Sequence, residues 1–126
     1  DYYLPGCPIG KEQFLSTFTR ILAGNPPDLY RFPVCVECKW NENDCLLNKD
    51  IFCLGPLTLA GCNSVCINYN LPCVGCWGPS EDGNRTSEFS LLLEKGFDHE
   101  LIKQKMANFS GTRFSEFLAT LKGAKK

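Results

Sequence analysis

Eight cysteines crowd between positions 35 and 76, and they constrain the fold more than any other feature. They fall at 35, 38, 45, 53, 62, 66, 73 and 76. The spacing reads C-x2-C-x6-C-x7-C, a gap of eight, then C-x3-C-x6-C-x2-C. The block runs on to Pro79 and is rich in Asn, Gly and Pro, which favour loops and short turns over long regular elements. Apolar residues concentrate outside it, from Phe14 to Leu22 and from Phe89 to Leu121. An organic core alone is therefore a poor account of the middle of the chain, and nine cysteines in 126 residues call for disulfides, metal or clusters.

Two consecutive groups of four suit a pair of [4Fe-4S] clusters. Each iron of a cubane already has three bridging sulfides and takes one terminal thiolate, so four cysteines complete one cluster. Each group holds one C-x2-C pair able to ligate adjacent corners. Gly55, Gly61, Gly75 and Gly78 remove bulk where backbone would approach inorganic sulfide. Val34, Leu54, Leu57, Val65, Leu71, Val74 and Trp77 supply an apolar sheath that excludes water. A cubane with four thiolates carries about -2, so two would take the formal charge of -1 to about -5. Lys39 and Lys49 are candidates to offset it, although ordinary solvated lysines explain them as well.

Two rival readings of the cysteines stay open. One is a disulfide-stapled extracellular binding module, for which Asn84 and Asn108 begin formal glycosylation triplets. An odd cysteine count and the lack of a signal segment argue against it. The other is a pair of structural zinc sites, in which each C-x2-C pair gives half of a four-thiolate set. The wider spacing of the remaining cysteines fits that poorly.

The rest of the chain organises around this block. Segment 1–34 holds a Pro5-Gly6-Cys7-Pro8 turn and an amphipathic helix from Lys11 to Ala23, stopped by Gly24, Asn25 and Pro26-Pro27. Residues 35–79 form the cysteine domain. Residues 80–126 begin with a polar loop and continue as helices over Ser87–Lys95, over Asp98–Phe109 ended by Ser110-Gly111, and after Thr112 with Phe114, Phe117, Leu118 and Leu121 on one face. The expected class is mostly α with extensive irregular loops. The stripes at Phe14–Leu22 and Phe114–Leu121 read as core or subunit interface, Trp40 and Trp77 as packing, and His99 as a lone surface histidine. A pI near 5.8 with scattered basic residues, Lys125 and Lys126 apart, excludes a phosphate-binding face. No apolar run reaches the roughly 18 residues of a membrane span. No catalytic triad or phosphate loop is present. Asp1 is not an initiator methionine, so the chain reads as processed, excerpted or a fragment.

The stretches Cys53-Leu-Gly-Pro-Leu-Thr58, Ala60-Gly-Cys62 and Pro72-Cys-Val-Gly-Cys-Trp-Gly-Pro79, with Pro5-Gly-Cys-Pro8 ahead of a helix, resemble the small subunit of nickel-iron hydrogenases. The likeness runs in order from Tyr3 to about Pro79. It is greatest to the cytoplasmic branch of deazaflavin-reducing, heterodisulfide-reductase-linked and sulfur-reducing enzymes. The resemblance implies that Cys35, Cys38, Cys45 and Cys53 ligate a distal [4Fe-4S] cluster, with Cys35 where many membrane-linked relatives have His. It implies that Cys62, Cys66, Cys73 and Cys76 ligate a medial one, Cys66 being the ligand that [3Fe-4S] relatives lack. Cys7 falls where the family places the last proximal-cluster ligand. The other three belong to a flavodoxin-like half that this sequence does not contain, so Cys7 is one ligand of a shared third [4Fe-4S] cluster, a relic, or a free thiol.

The resulting expectation is a cytoplasmic, non-catalytic electron-transfer subunit that relays single electrons between a nickel-iron large subunit and a downstream acceptor subunit. A flavodoxin-like half on a separate chain is a further expected partner. An independent ferredoxin-like carrier, or a cluster subunit of another redox complex, is the alternative.

Overall fold

The computed structural model describes residues 1–121; Lys125 and Lys126 lie outside them, as does the side chain of Leu121. Five helices are joined by long irregular segments: α1 (Lys11–Leu22), α2 (Val34–Trp40), α3 (Val65–Asn68), α4 (Arg85–Glu94) and α5 (His99–Leu121), with a 3-10 turn at Leu46–Lys49. No strand forms among the described residues. Isolated bridges pair Pro33 with Leu59 and Thr58 with Pro79. The mostly helical, loop-rich class expected from the sequence is the one observed.

Helix α1 starts where the apolar stripe predicts and stops at Gly24, whose φ of +81° lets the Gly24 amide reach the Ile21 carbonyl (3.0 Å) and the Asn25 amide the Arg20 carbonyl (2.9 Å). That is the left-handed helix ending that glycine favours. None of its residues is buried. Phe14, Leu15, Phe18 and Leu22 face outward, Leu22 with 70% of its surface exposed, so the stripe forms no part of this chain's core. Helix α4 begins two residues before the predicted Ser87 because Asn84 caps it, its Oδ1 accepting the Ser87 N–H at 3.0 Å.

Sequence reading breaks the last helical stretch at Ser110-Gly111, yet α5 runs unbroken for 23 residues. One glycine costs a helix only about 1 kcal/mol. The buried Ile102 and Met106 before it, and Phe114 after it, recur at helical spacing and offset that cost. Helices α4 and α5 pack together, burying Phe89, Leu92, Ile102, Met106 and Phe114 in one core with Val34, Leu46, Leu47, Leu54 and Leu57 from the cysteine block. His99 is half-buried rather than on the surface, its ring set edge-on to Phe89 at 5.2 Å.

Three extended pieces brace the cysteine loops. The Val34 amide donates to the Thr58 carbonyl (2.8 Å), the Ala60 amide to Phe32 (3.1 Å), the Leu59 amide to Gly78 (2.8 Å) and the Ser80 amide to Leu57 (2.7 Å). Segment 57–60 is thus held from both sides, and it fixes where residues 53 and 62 leave it.

Candidate functional site

Helix α2 carries Cys35 and Cys38, the 3-10 turn is entered through Cys45, and Cys53 sits in the loop beyond it. Their sulfurs converge. A Cβ placed on Gly55 would lie 3.3 Å from Cys35 Sγ and 3.5 Å from Cys53 Sγ, so glycine is what lets backbone approach both. The Cys35 thiol is pushed up to about 12, first by burial and then by the sulfurs of Cys53, Cys38 and Cys45 and the carboxyl of Glu88. Burial also raises Cys38 and Cys53, each pushed further by other sulfurs of the same group.

Cys62, Cys66, Cys73 and Cys76 line one cavity of about 560 Å³, with Cys7 at the same wall. Burial pushes the Cys73 thiol up to about 12, opposed by its hydrogen bond with the Thr58 hydroxyl and by the Gly75 amide. Cys62 is raised by burial and then by Glu37. Cys76 is raised by burial and by Cys66, and the Cys7 amide hydrogen-bonds to it and opposes the rise. The structure therefore places Cys7 beside the second group, exposed. The roof is α1, whose Gln13 donates to the Gly61 carbonyl.

The two groups touch. The Cys73 amide points at Cys53 Sγ (3.4 Å) while the Leu54 amide donates to the Cys73 carbonyl (3.0 Å). On the other side, Asn41 Nδ2 reaches the Asn63 carbonyl (3.1 Å) and Ser64 Oγ (2.9 Å), and Asn43 Nδ2 reaches Asn68 Oδ1 (2.6 Å). Between these links lies Glu37, unnoticed in the sequence, with only 5% of its surface exposed. Its Oε1 accepts the Gly61 amide (2.8 Å), and its Oε2 accepts the Ser64 amide (3.3 Å) 4.0 Å from Cys62 Sγ. An acid inside a C-x2-C pair, where thiolates already accumulate negative charge, is the signal that could have exposed it.

Of the expected sheath, Val34, Leu54, Leu57 and Trp77 are buried, whereas Val65, Leu71 and Val74 are exposed. Trp77 packs on Gly61. Trp40 is 66% exposed, its ring steeply inclined to that of Phe32 at 5.5 Å, so burial does not account for it. Lys49 pairs with Asp44 at 3.3 Å, and Lys39 lowers the Cys38 thiol as a minor influence.

None of the nine cysteines is joined to another as a disulfide. Among the described residues no three of His, Cys, Asp and Glu stand close enough to hold a single metal ion. One zinc at about 2.3 Å from each sulfur would draw four thiolates tightly together. A cubane spreads them over four irons. Thiols converging in fours, a backbone amide aimed at Cys53 Sγ, and a glycine that clears space between two sulfurs fit such a cluster.

Fold and site define a mostly helical, cysteine-rich module with two sets of four thiols. No family model matches the sequence. It is 45% identical over 111 residues, 87% of its length, to 46% of the sulfhydrogenase 2 delta subunit of Pyrococcus furiosus. Over 138 aligned positions, covering 82% of its length, it is 29% identical to 43% of an iron-sulfur subunit of the F420-non-reducing hydrogenase of Archaeoglobus profundus. Over 100 aligned positions, covering 65% of its length, it is 30% identical to 35% of a subunit of the vhu F420-non-reducing hydrogenase of Methanococcus voltae. Its relatives are thus hydrogenase subunits, and the chain spans less than half the length of each of these three. No helix among the described residues is long and apolar enough to cross a membrane.

Proposed function

We propose that the chain is an electron-transfer subunit of a cytoplasmic nickel-iron hydrogenase complex, relaying single electrons between the large-subunit active site and a redox partner. Cys35, Cys38, Cys45 and Cys53 would hold one [4Fe-4S] cluster, and Cys62, Cys66, Cys73 and Cys76 the other. When bound, such clusters supply reversible one-electron chemistry. The chain's own residues fix the two groups against each other, direct amides at sulfur, and shield the sulfurs with Val34, Leu54, Leu57 and Trp77. Cys7 would complete a third cluster with ligands from a flavodoxin-like half.

The observation that carries this reading is the convergence of each sequential set of four thiols, with the Cys73 amide set on Cys53 Sγ. A subunit is favoured over an independent carrier by α1, whose exposed Phe14, Leu15, Phe18 and Leu22 form an apolar patch of the kind that marks an interface. Anaerobic iron and sulfide analysis tests the clusters, with about eight irons per chain expected. A co-purifying nickel subunit tests the complex. An iron-free chain, or one bearing zinc, would reject the clusters, and iron without a nickel partner would favour the carrier.

A further inference from the structure

Glu37 has the geometry of a device rather than of a surface acid. It leaves α2 between two cysteines of the first group, crosses to the second, and accepts the amides of Gly61 and Ser64 on its two oxygens. Those amides flank Cys62. A carboxylate is acceptor-only and can take both bonds, whereas an amide side chain would turn one oxygen into a donor facing the Ser64 N–H. Nearly complete burial leaves its charge weakly screened, and Cys62 Sγ lies 4.0 Å from its Oε2. No lysine or arginine is paired with it among the described ion pairs.

We propose that Glu37 is a positioning residue that staples the Gly61–Ser64 loop to α2 and, through its charge beside Cys62, selectively lowers the reduction potential of the second cysteine group's cluster. This rests on the cluster reading above. Adding an electron next to a fixed negative charge is disfavoured, and the effect falls with distance. The carboxylate's described hydrogen bonds all go to the Gly61–Ser64 loop that carries Cys62, so its effect on the first group is the smaller. The fold thus supplies an inequality between two sites that have the same four thiolate ligands.

The test is an anaerobic redox titration of the intact complex followed by electron paramagnetic resonance, with iron counted in parallel. Glu37→Gln should raise the midpoint of one cluster signal and leave the other where it was. Glu42→Gln, which removes an exposed acid nearby in sequence, should move neither. Where Glu37→Gln loads incompletely, about four irons per chain should be lost while the first group's signal persists, and Glu37→Asp should restore part of the loss. The proposal is overturned if both clusters load at native potentials in Glu37→Gln, if Glu42→Gln produces the same shift, or if both clusters are lost together in Glu37→Gln and Glu37→Asp. Native protein without iron sinks the cluster reading itself. Native protein fully loaded, with an unmoved Glu37→Gln, sinks only the role of Glu37.

Discussion

Gly61→Ala combines two separable penalties. Gly61 sits at φ +134°, a conformation that costs a residue with a Cβ about 1–3 kcal/mol. The new methyl would also lie 2.4 Å from Cζ3 and 2.8 Å from Cη2 of Trp77. That indole is 6% exposed, so it has little room to retreat, and overpacking adds about 1–3 kcal/mol. Together the terms reach about 2–6 kcal/mol, against a total stability of about 5–15 kcal/mol for a domain. Gly24→Ala isolates the first term: its φ is +81° and no atom lies within 4 Å of the added Cβ, so only about 1–2 kcal/mol of backbone cost remains. In anaerobic thermal unfolding, the midpoint of Gly61→Ala should fall below that of Gly24→Ala by roughly 4–12 °C, at about 4 °C per kcal/mol for a chain of this size. Trp77→Phe removes the clashing atoms, so the double variant Gly61→Ala/Trp77→Phe should lose less than the sum of the singles. Equal midpoints for the two glycine variants, or strict additivity in the double variant, would refute the claim that Trp77 packs on Gly61.

Three further outcomes follow from the site. Glu88 is 4% exposed, its Oε1 has no partner, and burial lifts its carboxyl from 4.5 to about 7. The folded chain therefore holds a proton there that the unfolded chain releases. Stability from this group is complete below pH 4.5 and is lost as pH rises through 7, by at most about 3 kcal/mol, and Glu88→Gln should flatten denaturant midpoints measured from pH 5 to 8. With Cys35 and Cys73 pushed up to about 12, binding iron as thiolates must release protons; reconstitution with iron and sulfide should weaken as pH is lowered, with proton release measurable in weak buffer. Gly55→Ala puts a methyl 3.3 Å from Cys35 Sγ and should reduce iron bound by the first group while the second is retained, as read by iron content and the two resonance signals.

Much of this arrangement was legible because it depends on local chemistry. Cysteine crowding announced where thiols would gather, and the stripe from Phe14 to Leu22 with Gly24 behind it announced α1. The continuous α5 was hidden because Gly111 is a strong local breaker, outweighed by Ile102, Met106 and Phe114 packing against α4, and such packing is non-local. The fate of α1 was hidden for the same reason, since periodicity reveals an apolar face but not what covers it. Nothing in the spacing singled out Glu37 or Glu88. Their burial follows from where α2 and α4 dock, and no spacing rule reports that.

The two cysteine groups differ in what backs them. The first rests on the interior, with Val34, Leu46, Leu47 and Leu54 in the same core as Phe89 and Leu92. The second faces a cavity roofed by α1, a helix with no buried residue of its own. The cavity beside the second group is therefore bordered by a helix that this chain's own core does not anchor. A partner seated on Phe14, Phe18 and Leu22 would hold that roof down, exclude water beneath it, and strengthen the influence of Glu37 on Cys62 as local screening falls. Assembly and electron energetics would then be coupled through one helix. The coupling has a direct reading: detaching the partner should change the gap between the two midpoint potentials by more in native protein than in Glu37→Gln, where only the change in solvent exposure remains.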